Sequence, residues 1–339
     1  MPKKISLFNF TPDQIYQKFI QKNLPDVYIG SLYKIHCHTV FLLASTKALD
    51  KVLSSFTVYE PKVLVSNTYG NATKLLLELE DKNKIEMNIM HFKYGVTLCI
   101  SSQVGCNMGC KFCASGVLKK VRNLTSEEMM TQVTLANKIL IRTQERITNV
   151  VIMGIGEPFD NYANLVKFIK IITYRYGISL GFKHITISTC GICNKILAFA
   201  KLFPSVNLTI SLHATNDKVR NEIMPINRKW SVKQIMNTIK KYCSLTNNRI
   251  TIAYLLLNKI NDSSSQAQEL ASMLRNINCM VNLLKYNNIK EGKRLSASTN
   301  SAAFKKVLLD NNILFTERTS TGTKINAACG QLRAKHGEK

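Results

Sequence analysis

The chain has 339 residues, 45% of them hydrophobic, enough for a sizeable core and compatible with one α/β barrel carrying an appendage. It has no apolar run long enough to span a bilayer and no sustained apolar stretch after Met1-Pro2-Lys3-Lys4, so neither a membrane protein nor a secreted one is expected. Lysine and arginine total 46 against 21 aspartate and glutamate, a formal charge of +25 that a small-molecule enzyme does not need and a polyanionic partner such as nucleic acid would explain.

The alternative source of that charge is codon drift in a lysine-rich genome; single runs such as Lys119-Lys120-Val-Arg122 or 290–294 say little beside the whole-chain imbalance. Ten cysteines without an export signal point to a reducing compartment, the cytoplasm, where thiols stay available for metal and redox chemistry.

Residues 1–60 read as a small helical unit. Thr11-Pro12-Asp13 has the form of an N-cap with proline in the first turn, Ile15, Phe19 and Ile20 follow at helical spacing, and a second helix is expected over 45–56. Residues 61–93 read as a β-rich connector, with strands at 62–66, 73–80 and 85–90 and turn residues at Asn71 and Asp81-Lys82-Asn83. From 94 to 290, strand-like runs at 96–100, 149–153, 185–188, 206–213, 249–257 and 280–286 alternate with amphipathic helices near 125–145, 161–175, 193–203, 232–245 and 263–275. A further helix is expected near 301–312, within a C-terminal segment, 291–339. Alternation of this kind predicts βαβ units around a parallel sheet, here a partial (β/α)6 barrel with a lateral opening.

In such barrels the active site lies at the C-terminal ends of the strands. The marked residues fall there: a cysteine-rich loop after the first strand, Gly154-Ile155-Gly156-Glu157 after the second, Ser188-Thr189-Cys190-Gly191 after the third, and Ser211-Leu212-His213 at the end of the fourth.

The loop, Cys106-Asn-Met-Gly-Cys110-Lys-Phe-Cys113, spaces its cysteines C-x3-C-x2-C, and Cys329 stands far downstream in Ala-Ala-Cys-Gly-Gln-Leu. Three such thiolates can hold three irons of a [4Fe–4S] cube, and without a fourth local cysteine one iron stays open, as in a catalytic cluster. Structural zinc wants four ligands, typically from paired knuckles, and only Cys110 and Cys113 form one in this loop. Cys190 and Cys193 would leave zinc half-coordinated, and with Cys37, Cys243 and Cys279 they read as packing residues. Several other marked residues have commonplace readings. A Gly-x-Gly-Glu turn is often an ordinary βα connection, a lone His213 at a strand end is often a satisfied histidine, and Glu86 on an alternating strand reads as an exposed carboxylate.

The cysteine loop resembles the cluster-binding loop of the radical S-adenosylmethionine (SAM) superfamily, and Met153-Gly-Ile-Gly-Glu157-Pro158 resembles its strand end that receives the SAM methionine amine. Four further motifs narrow the likeness: Cys99-Ile-Ser-Ser-Gln-Val-Gly-Cys106, Ile187-Ser-Thr-Cys-Gly191, Ser211-Leu-His-Ala214 and Ala327-Ala-Cys-Gly-Gln-Leu332. Together with Gly154-Ile-Gly-Glu-Pro-Phe-Asp-Asn161 they make the chain, from about residue 62 onward, similar to the RlmN/Cfr family of RNA methyltransferases. Pro158 with Asn161, and the Cys190-Gly191 pair, resemble the C2-methylating RlmN branch more than the C8-methylating Cfr branch.

That resemblance implies one [4Fe–4S] cluster on Cys106, Cys110 and Cys113, and SAM held by Gly156, Glu157, Ser188, Ser211, Leu212, His213 and Asn287. It implies a methyl group taken up by Cys329 and made radical by a second SAM, a proton acceptor at Glu86, and a Cys99 that resolves the adduct through a transient disulfide with Cys329. Adenine C2 is electron-poor and does not attack a methyl cation equivalent, which is why a radical route is needed. The implied substrates are the peptidyl-transferase-centre adenine of 23S rRNA and the anticodon-loop adenine of tRNA, each exposed by extrusion or in a loop. The implied partners are an external electron donor such as flavodoxin or ferredoxin and an N-terminal RNA-docking unit, in a monomer that avoids the membrane. Cfr-type C8 methylation is the nearest alternative. A metal-stabilised RNA-binding protein without catalysis is the alternative of another class.

Overall fold

Strands follow one another across a single sheet in chain order. The computed structural model describes residues 5–20, 56–116, 119–287 and 295–318. Among these, the sheet comprises β1 (Lys62–Tyr69), β2 (Ala72–Glu78), β3 (Lys84–Phe92), β4 (Gly95–Ile100), β5 (Ile147–Ile152), β6 (Ile185–Thr189), β7 (Asn207–Ser211), β8 (Ile250–Leu256), β9 (Cys279–Lys285) and β10 (Phe315–Arg318). β1 to β4 form an antiparallel meander, and every pairing from β4 to β10 is parallel. The edge strands β1 and β10 do not pair with each other, so the sheet stays a partial barrel.

The described helices are α1 (Pro12–Ile20), α2 (Ser126–Leu140), α3 (Tyr162–Ile172), α4 (Cys193–Leu202), α5 (Asp217–Ile223), α6 (Val232–Thr246), α7 (Ser264–Leu274) and α8 (Ser301–Asp310). Several start where the sequence supplies a reciprocal cap. Thr125 with Glu128, Ser231 with Gln234 and Ser263 with Gln266 each satisfy two backbone donors that the first turn leaves open. At α1, Gln14 N donates to Thr11 Oγ1 at 3.3 Å while Thr11 N donates to Gln14 Oε1 at 2.9 Å, so the expected cap is present.

Alternation along the parallel strands sorts the two faces of the sheet. Leu98, Ile100, Val150, Ile152, Ile185, Ile187, Leu208, Ile210, Ile250 and Ile252 enter one core shared with the helices. Most positions between them, Thr97, Cys99, Thr186, Ser188, Thr209, Ser211 and Thr251, are small or polar and point to the barrel interior, with Val151 an apolar exception. An apolar outer face and a largely small or polar inner one suit a barrel that binds a polar ligand inside rather than filling its centre.

All six parallel strands expected from the sequence are present, and β10 extends the sheet by one more. The meander strands are hydrogen-bonded into the same sheet through β3 and β4. Helix α5 was not expected. The second N-terminal helix expected over 45–56 lies outside the described residues, save Phe56, which pairs in parallel with Ile5. Cys37, residues 290–294 and Cys329 also lie outside them. Among the described residues no helix is long and apolar enough to cross a membrane.

Candidate active site

The cysteine loop leaves β4 and folds over the C-terminal end of the barrel. Cys113 N donates to the Cys110 carbonyl at 3.2 Å and Gly116 N to the Cys113 carbonyl at 3.0 Å, a tight turn that brings Cys110 and Cys113 round together. A Cβ on Gly116 would lie 2.5 Å from the Cys110 carbonyl oxygen, so only glycine lets the turn close. Burial pushes the Cys106 thiol up to about 12 and the Cys110 thiol well above the ordinary range, and the thiols add to this by feeling one another's charge.

Buried thiols such as those of Cys106 and Cys110 need an adjacent cation to become thiolates. Among the described residues no three His, Cys, Asp or Glu side chains converge to hold a single metal ion. A four-iron cube offers each sulfur its own iron, so its three thiols need not meet at one point. The donor set therefore fits a [4Fe–4S] cluster on Cys106, Cys110 and Cys113.

The turn after β5 is pinned to this loop. Gly154 and Gly156 permit the approach: a Cβ on Gly154 would sit 2.6 Å from the Ile100 carbonyl oxygen, and one on Gly156, at φ +110°, 2.6 Å from Gln103 Cβ. Gln103 is fully buried. Its Oε1 accepts from Glu157 N at 2.8 Å, and its Nε2 donates to Asn123 Oδ1 and Asp160 Oδ2, each at 2.8 Å. Asn161 Nδ2 donates to the carbonyls of Ser102 and Leu124 at 2.8 and 2.7 Å.

The Glu157 carboxylate is buried and accepts from Phe159 N at 3.0 Å and Cys190 N at 2.7 Å. Burial raises its pKa more than these hydrogen bonds lower it. Gly156→Ala is expected to destabilise the fold by about 1–3 kcal/mol and to weaken SAM binding, because the new methyl meets Gln103 and φ is unfavourable. Gly181→Ala, whose Cβ would meet nothing closer than His184 Cδ2 at 3.4 Å, serves as the near-neutral control in thermal melts and SAM titrations.

Ser188 lies on the inner face of β6, Ser211 ends β7, Leu212 and His213 follow it, and the half-buried Asn287 follows β9. All stand at the C-terminal end of the barrel with the cysteine loop. His213, at φ +56°, accepts at Nδ1 from Leu255 N at 3.0 Å, and its carbonyl accepts from Asn261 Nδ2 at 2.7 Å. Its ring meets Phe112, between Cys110 and Cys113, edge-on at 4.8 Å. Burial, then the nearby Arg220 charge, lowers its pKa to about 3, so His213 is neutral at physiological pH with its proton on Nε2.

The unfolded chain protonates this position near 6.5, so the histidine's contribution to stability is complete above that pH and is lost as pH falls toward about 3. Melting temperature measured from pH 7 to pH 4 is expected to fall more steeply for the parent chain than for His213→Gln; equal slopes would refute it.

Cys99 occupies the inner face of β4, opposite Asn88 on β3 and beside Val151 on β5. Asn88 in turn pairs with Lys74 on β2, and Glu86 stands two residues along β3 on the same face, toward the cysteine loop. Ser101 Oγ donates to the Glu86 carbonyl at 2.6 Å. Glu86 is not the exposed carboxylate that simple alternation suggests: it is 4% exposed and ion-paired to Lys74 at 2.9 Å. The register thus brings a thiol and a buried carboxylate to the inner wall, on β4, which leads into the loop, and on its neighbour β3.

A model of the radical SAM superfamily matches residues 100–274, just over half of the chain. A Spiroplasma citri protein described as a probable dual-specificity RNA methyltransferase RlmN is 42% identical over 323 residues, covering 95% of this chain and 92% of its own. A Malacoplasma penetrans protein of the same description is 43% identical over 339 residues, covering 97% and 96%. The chain belongs to the RlmN family. A crystal structure of a radical SAM methyltransferase from Sphaerobacter thermophilus superposes with a TM-score of 0.90 at 30% identity, over 97% of this chain and 99% of that one.

Membership of the RlmN family brings with it the [4Fe–4S] cluster and SAM of the radical SAM superfamily. Some structural features went unread in the sequence. Gln103 lies within the 99–106 motif and Asn161 ends the 154–161 motif, but their bridging of two loops shows only in three dimensions. Arg220, fully buried on α5, had one faint signal: a cation three residues before Ile223, on that helix's apolar side. Two cations counted toward RNA attraction are spent locally, Lys120 on Asp160 at 2.7 Å and Arg122 on Asp81 and Glu128 at 2.6 and 2.7 Å.

Proposed function

We propose that this chain is a cytoplasmic radical SAM methyltransferase that places a methyl group on C2 of adenine in 23S rRNA and in tRNA, passing it through Cys329. The observation that carries the reading is the inner-wall row in which Cys99, on the strand that leads into the three-cysteine loop, lies next to the strand of the buried Glu86. Support also comes from the relatives' description as dual-specificity RNA methyltransferases.

When bound, the cluster and SAM supply a 5′-deoxyadenosyl radical, with Cys106, Cys110 and Cys113 holding the irons. Glu157, with Gly156 leaving space beside it, receives the SAM amine, and Ser188, Ser211, Leu212, His213 and Asn287 line the remainder of the site. The neutral His213 offers an Nε2–H without adding charge. Cys329, as a thiolate, takes a methyl group by displacement. That methyl, having lost a hydrogen atom, joins C2 of the base. Glu86 accepts the C2 proton, and the adduct would return its unpaired electron to the oxidised cluster. The Cys99 thiolate attacks the Cys329 sulfur; the carbon–sulfur electron pair stays on the methylene carbon, which takes up a proton to become the methyl group as the disulfide closes. Two SAM molecules serve each turnover, one as methyl donor and one as radical source. An external flavodoxin or ferredoxin supplies electrons to a monomeric enzyme whose first 60 residues or so dock RNA.

RNA from cells with and without the gene, digested to nucleosides and separated by mass spectrometry, tests this. Gene-dependent 2-methyladenosine in both 23S rRNA and tRNA is expected. Gene-dependent 8-methyladenosine would instead favour a Cfr-type activity, and no gene-dependent methyladenosine would refute both.

A further inference from the structure

Arg220 is the largest fully buried side chain among the described residues. Its Nε donates to the Leu212 carbonyl at 3.0 Å, its Nη2 to the carbonyls of Cys190 and Ser211 at 2.6 and 3.1 Å, and its Nη1 to Asn227 Oδ1 and the Trp230 carbonyl at 3.0 and 3.4 Å. These bonds use the whole guanidinium fork, yet each acceptor is a neutral dipole. Asp217 stands one residue removed, accepting from Asn227 Nδ2 at 2.9 Å. Hydrogen bonding is therefore satisfied while the charge is not, and a buried cation left so is costly unless an anion comes to it.

The cysteine loop lies against the helix that carries this charge. Lys111 N donates to the Ile223 carbonyl at 3.0 Å, and a Cβ on Gly109 would touch Pro225 Cγ at 3.5 Å. Cys110, Cys190, Ile223 and Met224 pack in one apolar cluster, so water does not screen the guanidinium from the Cys110 sulfur.

We propose that Arg220 is a positioning residue for the iron–sulfur cluster: its buried charge supplies the counter-ion behind Cys110 and raises the cluster's reduction potential, while its fork fixes the strand ends of the SAM site. Reduction adds a negative charge to a cluster already made anionic by three thiolates, so a fixed cation favours the reduced form, and little solvent is present to weaken it. The inference rests on Cys106, Cys110 and Cys113 holding the cluster. It is independent of the RNA chemistry.

The test is a redox titration of the anaerobically reconstituted full chain, followed by electron paramagnetic resonance, on samples first assayed for iron. Arg220→Gln removes the charge, Arg220→Lys keeps it with a poorer fork, and Asn227→Asp sets a carboxylate against it. The midpoint potential is expected to shift negative in Arg220→Gln and Asn227→Asp and to stay near the parent value in Arg220→Lys, a pattern that lost packing alone would not give. Parent-like potentials in the first two would overturn the proposal. If Arg220→Gln takes up no iron, the other two decide: a negative shift in Asn227→Asp with none in Arg220→Lys supports it, and equal potentials overturn it. A parent chain that itself binds no four-iron cluster would instead sink the cluster assignment.

Discussion

Replacing Cys110 by alanine is expected to take reconstituted protein from about four irons per chain to fewer than one and to lower RNA methylation by about a thousandfold or more. Two thiolates are left, on a loop whose turn is built around the Cys110 carbonyl. Cys190, which shares an apolar cluster with Cys110, is badly placed to substitute for it. Its backbone N–H is held by Glu157 at 2.7 Å and its carbonyl by Arg220 at 2.6 Å. Burial, and then the charge of Glu157, hold its thiol well above the ordinary range, so it does not readily become a thiolate. Iron assay and the visible absorption of the parent and Cys110→Ala chains check this. A brown, fully loaded variant would mean that the cysteine loop is not the cluster site.

Replacing Cys99 by alanine is expected to act at a different stage. Iron binding should be unchanged, because Cys99 lies on the strand below the loop and is not one of the three ligands. RNA should instead accumulate joined to Cys329, with released product falling below one equivalent per enzyme, since no thiol remains on the inner wall of β4 to attack that sulfur. Denaturing gels of enzyme with labelled RNA separate the adduct from free RNA. Normal yields of released, methylated RNA would remove Cys99 from the role proposed for it.

The fold was largely legible because its strands carry a clear two-residue alternation. In Ile185–Thr189 and Asn207–Ser211 the isoleucines and leucine turn to the helices, while Thr186, Ser188, Thr209 and Ser211 face inward. The capping pairs at Thr125, Ser231 and Ser263 likewise announce where helices begin. What escaped has physical reasons. Phe315–Arg318 is a four-residue edge strand of which only Phe315 is apolar, so the short run Ile313-Leu314-Phe315 falls mostly before it. Asp217–Ile223 makes barely two turns, and its buried face carries a cation where periodicity wants an aliphatic side chain.

Within the site, residue types and spacing pointed to the cysteine loop, the Gly-x-Gly-Glu turn and the Ser-Leu-His strand end. Partnerships were harder to read. The surroundings of Glu86 depend on strand register, which set Lys74 beside it from twelve residues away. The bridges from Gln103 and the reach of Arg220 join segments far apart in the chain, and no local pattern encodes such contacts.

The most direct test of the central claim follows a labelled methyl group. Purified enzyme, a reducing system and substrate RNA are incubated with SAM whose methyl carries three deuteriums, and 2-methyladenosine and 5′-deoxyadenosine are weighed by mass spectrometry. If the methyl rests on Cys329 and surrenders a hydrogen before reaching the base, the product should retain two deuteriums and 5′-deoxyadenosine should gain the third. A product methyl that keeps all three would mean direct transfer from SAM to RNA, and would contradict the account.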